Sequence, residues 1–301
     1  MALNKPSIAT LEAKRHFLER CQQNNRTKIS LLITGKSAVG KSSLVNALVG
    51  NKVAEERRDK ADKVIAYDVE DIEGVIVRVW DSLGLTDDDD DDESGTGNDE
   101  KYAAKIESEI TEELDVVMLC LKMVDKRFHR DDKDTFRMLT ENFGKGLWKN
   151  AVIALTFANK VEDPDGGDRN DYFEQDLANW REALHLFLSN TLKLDPNLMQ
   201  SLPIVPTGYY RPVSVLPNGG NWLSELWIAC DNVVRNSTPF RLNRLKQDEE
   251  QPGWFLKKAW NTFKKYCFRK ITILSVFIII FGVSQIFLNW RNNQHNSRTE
   301  M

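Results

Sequence analysis

Residues 35–42, Gly35-Lys36-Ser37-Ala38-Val39-Gly40-Lys41-Ser42, carry the spacing G-x-x-x-x-G-K-S. The two glycines let the backbone turn tightly, so that successive N–H groups from Gly35 to Ser43 face an anion, and the helix opening at Ser43 adds its positive end. In that setting Lys41 neutralises the β- and γ-phosphates of a nucleotide, and Ser42 offers its hydroxyl oxygen to Mg2+. The chemistry implied is nucleotide binding with phosphoryl transfer, and Lys41 is its candidate catalytic residue. A glycine turn with no ligand is the competing reading. It is weakened by the β-rich run before the loop and the helical run after it.

Two further turns fit the same chemistry. Asp81-Ser82-Leu83-Gly84 ends a strong β run; Asp81 there can hold Mg2+ through water, and the Gly84 N–H can sense a γ-phosphate. Thr156-Phe157-Ala158-Asn159-Lys160-Val161-Glu162-Asp163 ends another. In an Asn-Lys-x-Asp turn the amide lies near guanine, the lysine stem covers its face, and the carboxylate accepts from its ring N–H and amino group. Here Glu162 stands at the last position and Asp163 one residue later, so either could be the acceptor. Thr207-Gly208, after a final short β run, supplies a backbone contact to the base. Each turn alone is also an ordinary strand end; three in order favour a nucleotide site.

Those turns need elements to hold them. Segments 29–34, 75–80, 115–121, 151–156 and 203–206 read as strands, most of them apolar on both faces as buried parallel strands are. Helical patterns follow near 41–49, 99–112, 132–143, 172–193 and 221–235. Strict alternation predicts an α/β three-layer P-loop NTPase fold with a mostly parallel sheet. Segment 63–69 reads as an added antiparallel strand. Within 1–25, residues 7–22 form a charged helix appended to the domain, with Leu11, Phe17 and Leu18 for packing.

The 301 residues include 41 Lys plus Arg, 45 Asp plus Glu and 41% hydrophobic residues, too apolar for a disordered chain. The net charge of −4 excludes a general nucleic-acid binder, which carries a basic domain or stripe. Four cysteines (21, 120, 230, 267) and four histidines (16, 129, 185, 295) form neither a disulfide framework nor a ligand spacing. The six aspartates Asp87 to Asp92 repel one another and read as a solvated loop behind the second turn.

Residues 271–288 hold no charged residue. As a helix they extend about 27 Å, one hydrocarbon core. Lys257, Lys258, Lys264, Lys265, Arg269 and Lys270 precede them with interleaved aromatics and no acid between 254 and 270. This predicts a linker and basic juxtamembrane collar at 239–270, a tail anchor at 271–288 and a short luminal or intermembrane tail at 289–301. The long N-terminal part then faces the cytosol. The endoplasmic reticulum and the mitochondrial outer membrane are not distinguished.

With these residues in view the chain resembles the AIG-type GTPases, the immunity-associated nucleotide-binding family related to septins and to the Toc GTPases of the chloroplast envelope. The resemblance covers about residues 26–238. Besides the phosphate loop it rests on the run from Asp115 to Arg127, on Phe143-Gly-Lys-Gly-Leu-Trp148 and on Leu155-Thr-Phe-Ala-Asn159. It implies GTP and GDP binding with Mg2+, slow hydrolysis, and dimers or oligomers formed across the nucleotide face from a C-terminal anchor. It further implies that Arg127 is an arginine presented in trans across the dimer. Two positions depart from the family: 44–80 contain no Ser or Thr for the first switch, and Leu85 follows Gly84 where a glutamine could orient water. A membrane-tethered GTPase switch is the leading expectation. A non-hydrolysing nucleotide-binding scaffold is the alternative, and an ATP-using kinase or transporter subunit finds little support.

Overall fold

The computed structural model describes residues 6–51, 53–54, 64–70, 74–82, 84, 96–125, 127–209 and 215–245. In chain order the elements are α1 (Ile8–Gln23), β1 (Lys28–Thr34), α2 (Lys41–Val49), β2 (Ile65–Glu70), β3 (Ile76–Asp81), α3 (Thr96–Glu109), β4 (Glu113–Leu114) and β5 (Val116–Lys122). They continue with α4 (Arg130–Phe143), β6 (Ala151–Thr156), α5 (Arg169–Asn190), α6 (Pro196–Ser201), β7 (Ile204–Pro206), α7 (Trp222–Asn236) and β8 (Phe240–Arg241).

Six strands form one sheet in the order β2-β3-β1-β5-β6-β7. All neighbours run parallel except β2, which pairs antiparallel with β3. The apolar runs of β1, β5 and β6 are buried almost throughout, as covering helices on both faces require. Because β1 lies between β3 and β5, the chain leaves it toward one side of the sheet and returns on the other. Crevices at the carboxyl ends of strands flanking such a point are where open α/β sheets take ligands.

The five expected parallel strands and the antiparallel sixth are all present. Differences from expectation lie at the ends. The helix expected at 99–112 stops at Glu109, and Glu113–Leu114 instead pairs with Phe240–Arg241. α1 is more than an appendage: Phe17 and Leu18 are buried, and the Phe17 ring meets Trp227 of α7 at 5.7 Å. Arg20 pairs with Asp231 at 2.8 Å. Leu11, expected in the packing face, is half exposed. Among the described residues no helix is long and apolar enough to cross a membrane. The acidic run and the segments at 254–270, 271–288 and 289–301 lie outside the described residues.

If α1 belongs to the core, Phe17→Ala removes a fully buried aromatic and lowers stability by about 3–5 kcal/mol. Denaturant unfolding of the full chain checks this; a loss below about 1 kcal/mol would return α1 to the status of an appendage.

Candidate functional site

The phosphate loop leaves β1 at Thr34 and enters α2 through Gly40, whose φ of 92° is left-handed. A Cβ at Gly40 would lie 2.9 Å from Phe157 Cε2, so only glycine turns the chain here. Among the described residues no side chain caps the start of α2, which leaves its first N–H groups directed at the loop, the arrangement that binds anions. Lys36, Ser37, Ala38 and Val39 form the loop's arch, with Ala38 also left-handed at φ 58°. Val39 and Ser43 are buried behind it.

Lys41 is buried, and its Nζ donates to the loop carbonyls of Gly35 at 3.1 Å and Lys36 at 2.5 Å. The parallel register sets Ile33 of β1 beside Asp81 of β3, which brings the Asp81 carboxylate to the start of α2. Ser42 Oγ donates to Asp81 Oδ2 at 3.2 Å. Asp81 Oδ1 is buried and, among the described residues, has no hydrogen-bond partner. Burial pushes the Asp81 carboxyl up to about 6, although the charge of Lys41 and the Ser42 hydroxyl pull the other way. A buried carboxylate oxygen beside a serine hydroxyl fits Mg2+, which takes one or two protein oxygens and leaves its other positions to water and phosphate. Ser42 and Asp81 are the residues that would hold it.

The base turn is built differently from the expectation. The Asn159 side chain takes both main-chain groups of Tyr209: Oδ1 accepts from its N–H at 2.8 Å and Nδ2 donates to its carbonyl at 3.3 Å. Thr207 N donates to Leu155 O and Thr207 O accepts from Ala158 N, so the Thr207-Gly208 turn is fastened to β6, and Gly208 lies against the Trp222 indole. Lys160 places Nζ 4.2 Å from the centre of the Tyr209 ring, which is stacked on Phe157 at 5.4 Å. The choice between two carboxylates is narrowed. Asp163 caps its own loop, accepting from Asp165 N at 3.0 Å and Gly167 N at 2.7 Å, while Glu162 is exposed.

Other residues complete the site in roles that the sequence did not mark. Thr156 Oγ1 donates to the carbonyls of Val39 and Leu121, tying the base strand to the phosphate loop. Arg169 donates to the carbonyls of Asn159 at 2.6 Å and Val161 at 2.9 Å, holding the base turn from behind. A lone threonine or arginine has no spacing to mark it. Lys36 pairs with Asp131 of α4 at 3.1 Å, and Arg127 is exposed two residues beyond the turn Met123–Asp125. The strand ends thus gather the phosphate loop, Asp81, Gly84 and the base turn, with Arg127 on the flanking segment.

The AIG1 family model matches residues 29–189. The Translocase of chloroplast 34 homolog, chloroplastic, of Chlamydomonas reinhardtii is 29% identical over 220 residues, which are 70% of this chain and 55% of that protein. The chain therefore spans little more than half that relative's length. Toc33 from Arabidopsis thaliana in complex with GDP and Mg2+ is similar with a TM-score of 0.63 at 20% identity, over 78% of this chain and 96% of that one. A structure reported with the finding that dimerization is important for the GTPase activity of the chloroplast translocon components atToc33 and psToc159 gives 0.63 at 21% identity, over 77% and 93%. At these identities the structural likeness establishes the shared fold.

The Asp81 carboxyl is raised from 3.8 to about 6 in the folded chain, so the native state holds a proton that the unfolded state releases. That stabilisation is complete below about pH 3.8 and is lost as pH rises through 6, a difference on the order of 3 kcal/mol. In EDTA and without nucleotide, Asp81→Asn should unfold at higher temperature than the parent at pH 7.5, with the gap closing toward pH 4. Parallel melting curves at both pH values contradict the assignment.

Proposed function

The chain belongs to the AIG1 family, and from that premise we propose that it is a membrane-tethered GTP- and GDP-binding switch whose slow hydrolysis depends on dimerisation. One observation carries the nucleotide reading: an uncapped helix start and a buried, unpartnered Asp81 oxygen meet at Lys41 and Ser42. The first calls for an anion and the second for a cation, and a Mg2+-nucleotide brings both.

The residues' roles follow from where they stand. Lys41 exchanges its two loop carbonyls for phosphate oxygens, and the N–H groups of Gly35 to Ser43 surround the same phosphates. Ser42 and Asp81 would hold Mg2+ through their oxygens, and the metal would supply charge that screens the phosphates. Gly84 offers its N–H to a γ-phosphate. Asn159 orders the base loop through Tyr209, Lys160 covers the base, and Glu162 accepts from guanine. Arg127 of a second protomer offsets charge at the phosphates across the nucleotide face. Support for guanine, Mg2+ and the dimer comes from the Toc33 complex with GDP and Mg2+ and from the dimerization dependence described for the translocon components.

Tethering rests on the uncharged segment 271–288 and the basic collar before it, with the nucleotide domain on the cytosolic side. The relatives are named translocases of the chloroplast, which supports a chloroplast membrane over the endoplasmic reticulum or the mitochondrial outer membrane. The scaffold reading keeps one specific support. With no Ser or Thr in 44–80 and Leu85 after Gly84, the chain lacks the usual groups that close on metal and water.

Fluorescent GDP should bind with ADP unable to compete, and Lys41→Ala should abolish binding; equal affinity for ADP removes the guanine assignment. Glu162→Ala should cut the preference for GDP over IDP about 10-fold or more, while Asp163→Ala lowers thermal stability and leaves that preference intact. The reverse result assigns base reading to Asp163. Turnover per molecule should rise with protein concentration and lose that rise in Arg127→Ala. No turnover at any concentration selects the scaffold.

A further inference from the structure

Tyr102 of α3 reaches the roots of two loops at once. Its phenol oxygen lies 2.8 Å from Thr34 Oγ1 and 2.9 Å from Ser82 Oγ. Thr34 is the residue before Gly35, and Ser82 is the residue after Asp81. All three side chains are buried, Thr34 completely. Burial pushes the phenol up to about 12, so at neutral pH the hydroxyl keeps its proton and can donate to one partner while accepting from the other. Three hydroxyls in a dry interior stabilise only when mutually satisfied, and each unmade bond costs about 1–3 kcal/mol. A phenylalanine would pack the same space without that liability, so the hydroxyl has to be explained by what it joins.

A second contact shows what passes through it. An added Cβ at Gly84 would lie 2.6 Å from Ser37 Cα, so the main chain just beyond Ser82 is pressed against the phosphate loop. Ser82 N also donates to Ile33 O at 3.1 Å, which keeps this strand end in register with β1. A γ-phosphate entering the loop must reseat Gly84. Ser82, two residues before Gly84, joins that strand end to the phenol of α3.

We infer that Tyr102 is a positioning residue that couples the phosphate state of the bound nucleotide to α3, with Thr34 as its fixed arm and Ser82 as its moving arm. The inference rests on the nucleotide reading above and deepens it: Tyr102 acts through Ser82, the residue after Asp81. Its signature is discrimination between tri- and diphosphate rather than affinity for nucleotide as such.

The experiment uses the full chain with fluorescent GDP and a non-hydrolysable GTP analogue in Mg2+, together with hydrogen exchange over α3. In Tyr102→Phe, affinity for the analogue should fall about fivefold or more, the loss of about one hydrogen bond, with GDP affinity changed less than twofold. Exchange in α3 should no longer distinguish the two ligands. Ser82→Ala should reproduce both effects, and the double variant should add nothing; Thr34→Val should weaken both ligands equally. A lowered melting temperature with the wild-type affinity ratio and the wild-type α3 difference would reduce Tyr102 to a packing residue. Additive single effects would also overturn the coupling. If the parent binds neither ligand, the nucleotide reading falls and this inference with it, whereas binding with an unchanged ratio removes the inference alone.

Discussion

One carboxylate oxygen of Asp81 is buried and, among the described residues, has no hydrogen-bond partner, and the charge of Lys41 and the Ser42 hydroxyl partly offset the cost. An isolated buried charge of this kind is among the more expensive things a fold can contain. It is tolerated because the neighbouring elements leave it no alternative. The β1–β3 register fixes Asp81 beside Ile33, the buried phenol fixes the residue after it, and α2 begins directly beneath. Strain of this sort concentrates where a ligand relieves it. The same geometry denies α2 a side-chain cap. The site is therefore short of a positive charge at Asp81 and of a negative one at the helix start, a few residues apart.

How much of this the sequence disclosed depends on the range of each interaction. The phosphate loop is legible because eight neighbouring residues specify it, and the strands are legible because β1, β5 and β6 are apolar on both faces. Thr156 reaches a carbonyl 117 residues away, and Tyr102 reaches Thr34 68 residues away. No local pattern announces either. The choice between Glu162 and Asp163 is open in the sequence because both sit at a plausible offset; the structure adds that the Gly167 N–H draws Asp163 into its own loop, a contact no local pattern marks. α1 was partly legible: of Leu11, Phe17 and Leu18, the latter two are buried together with Cys21, while the Phe17 ring meets Trp227 of α7, a contact too distant in sequence for a local pattern to show.

Several side chains that bear no chemistry hold the loops by their roots. Asn46 of α2 accepts from the N–H groups of Val53 and Ala54 and donates to the Ala54 carbonyl, and Glu109 of α3 accepts from Val64 N. Asp115, in the family's characteristic run, accepts from Ser30 N at 2.8 Å and from Arg26. It is a strap between β1 and the start of β5 at the end away from the nucleotide. A conspicuous carboxylate and an inconspicuous asparagine thus do the same work, satisfying main-chain groups that the sheet leaves over.

α3 is where these attachments converge. It carries Tyr102 toward the phosphate loop, Glu109 toward Val64, and Glu107 toward Arg244 at 2.6 Å, close to the end of the described chain. A helix tied at three points to the first loop, to the strand before the second, and to the C-terminal strap cannot move for one of them alone. That makes it suited to transmit a local event. Positions 44–80 hold no Ser or Thr and Leu85 follows Gly84, so the groups that most often close on metal and water are absent from those positions, while Lys41, Ser42 and Asp81 meet at the start of α2. On the function proposed above, the group that accelerates turnover would then come from a second protomer, with the exposed Arg127 standing on the flank of the site.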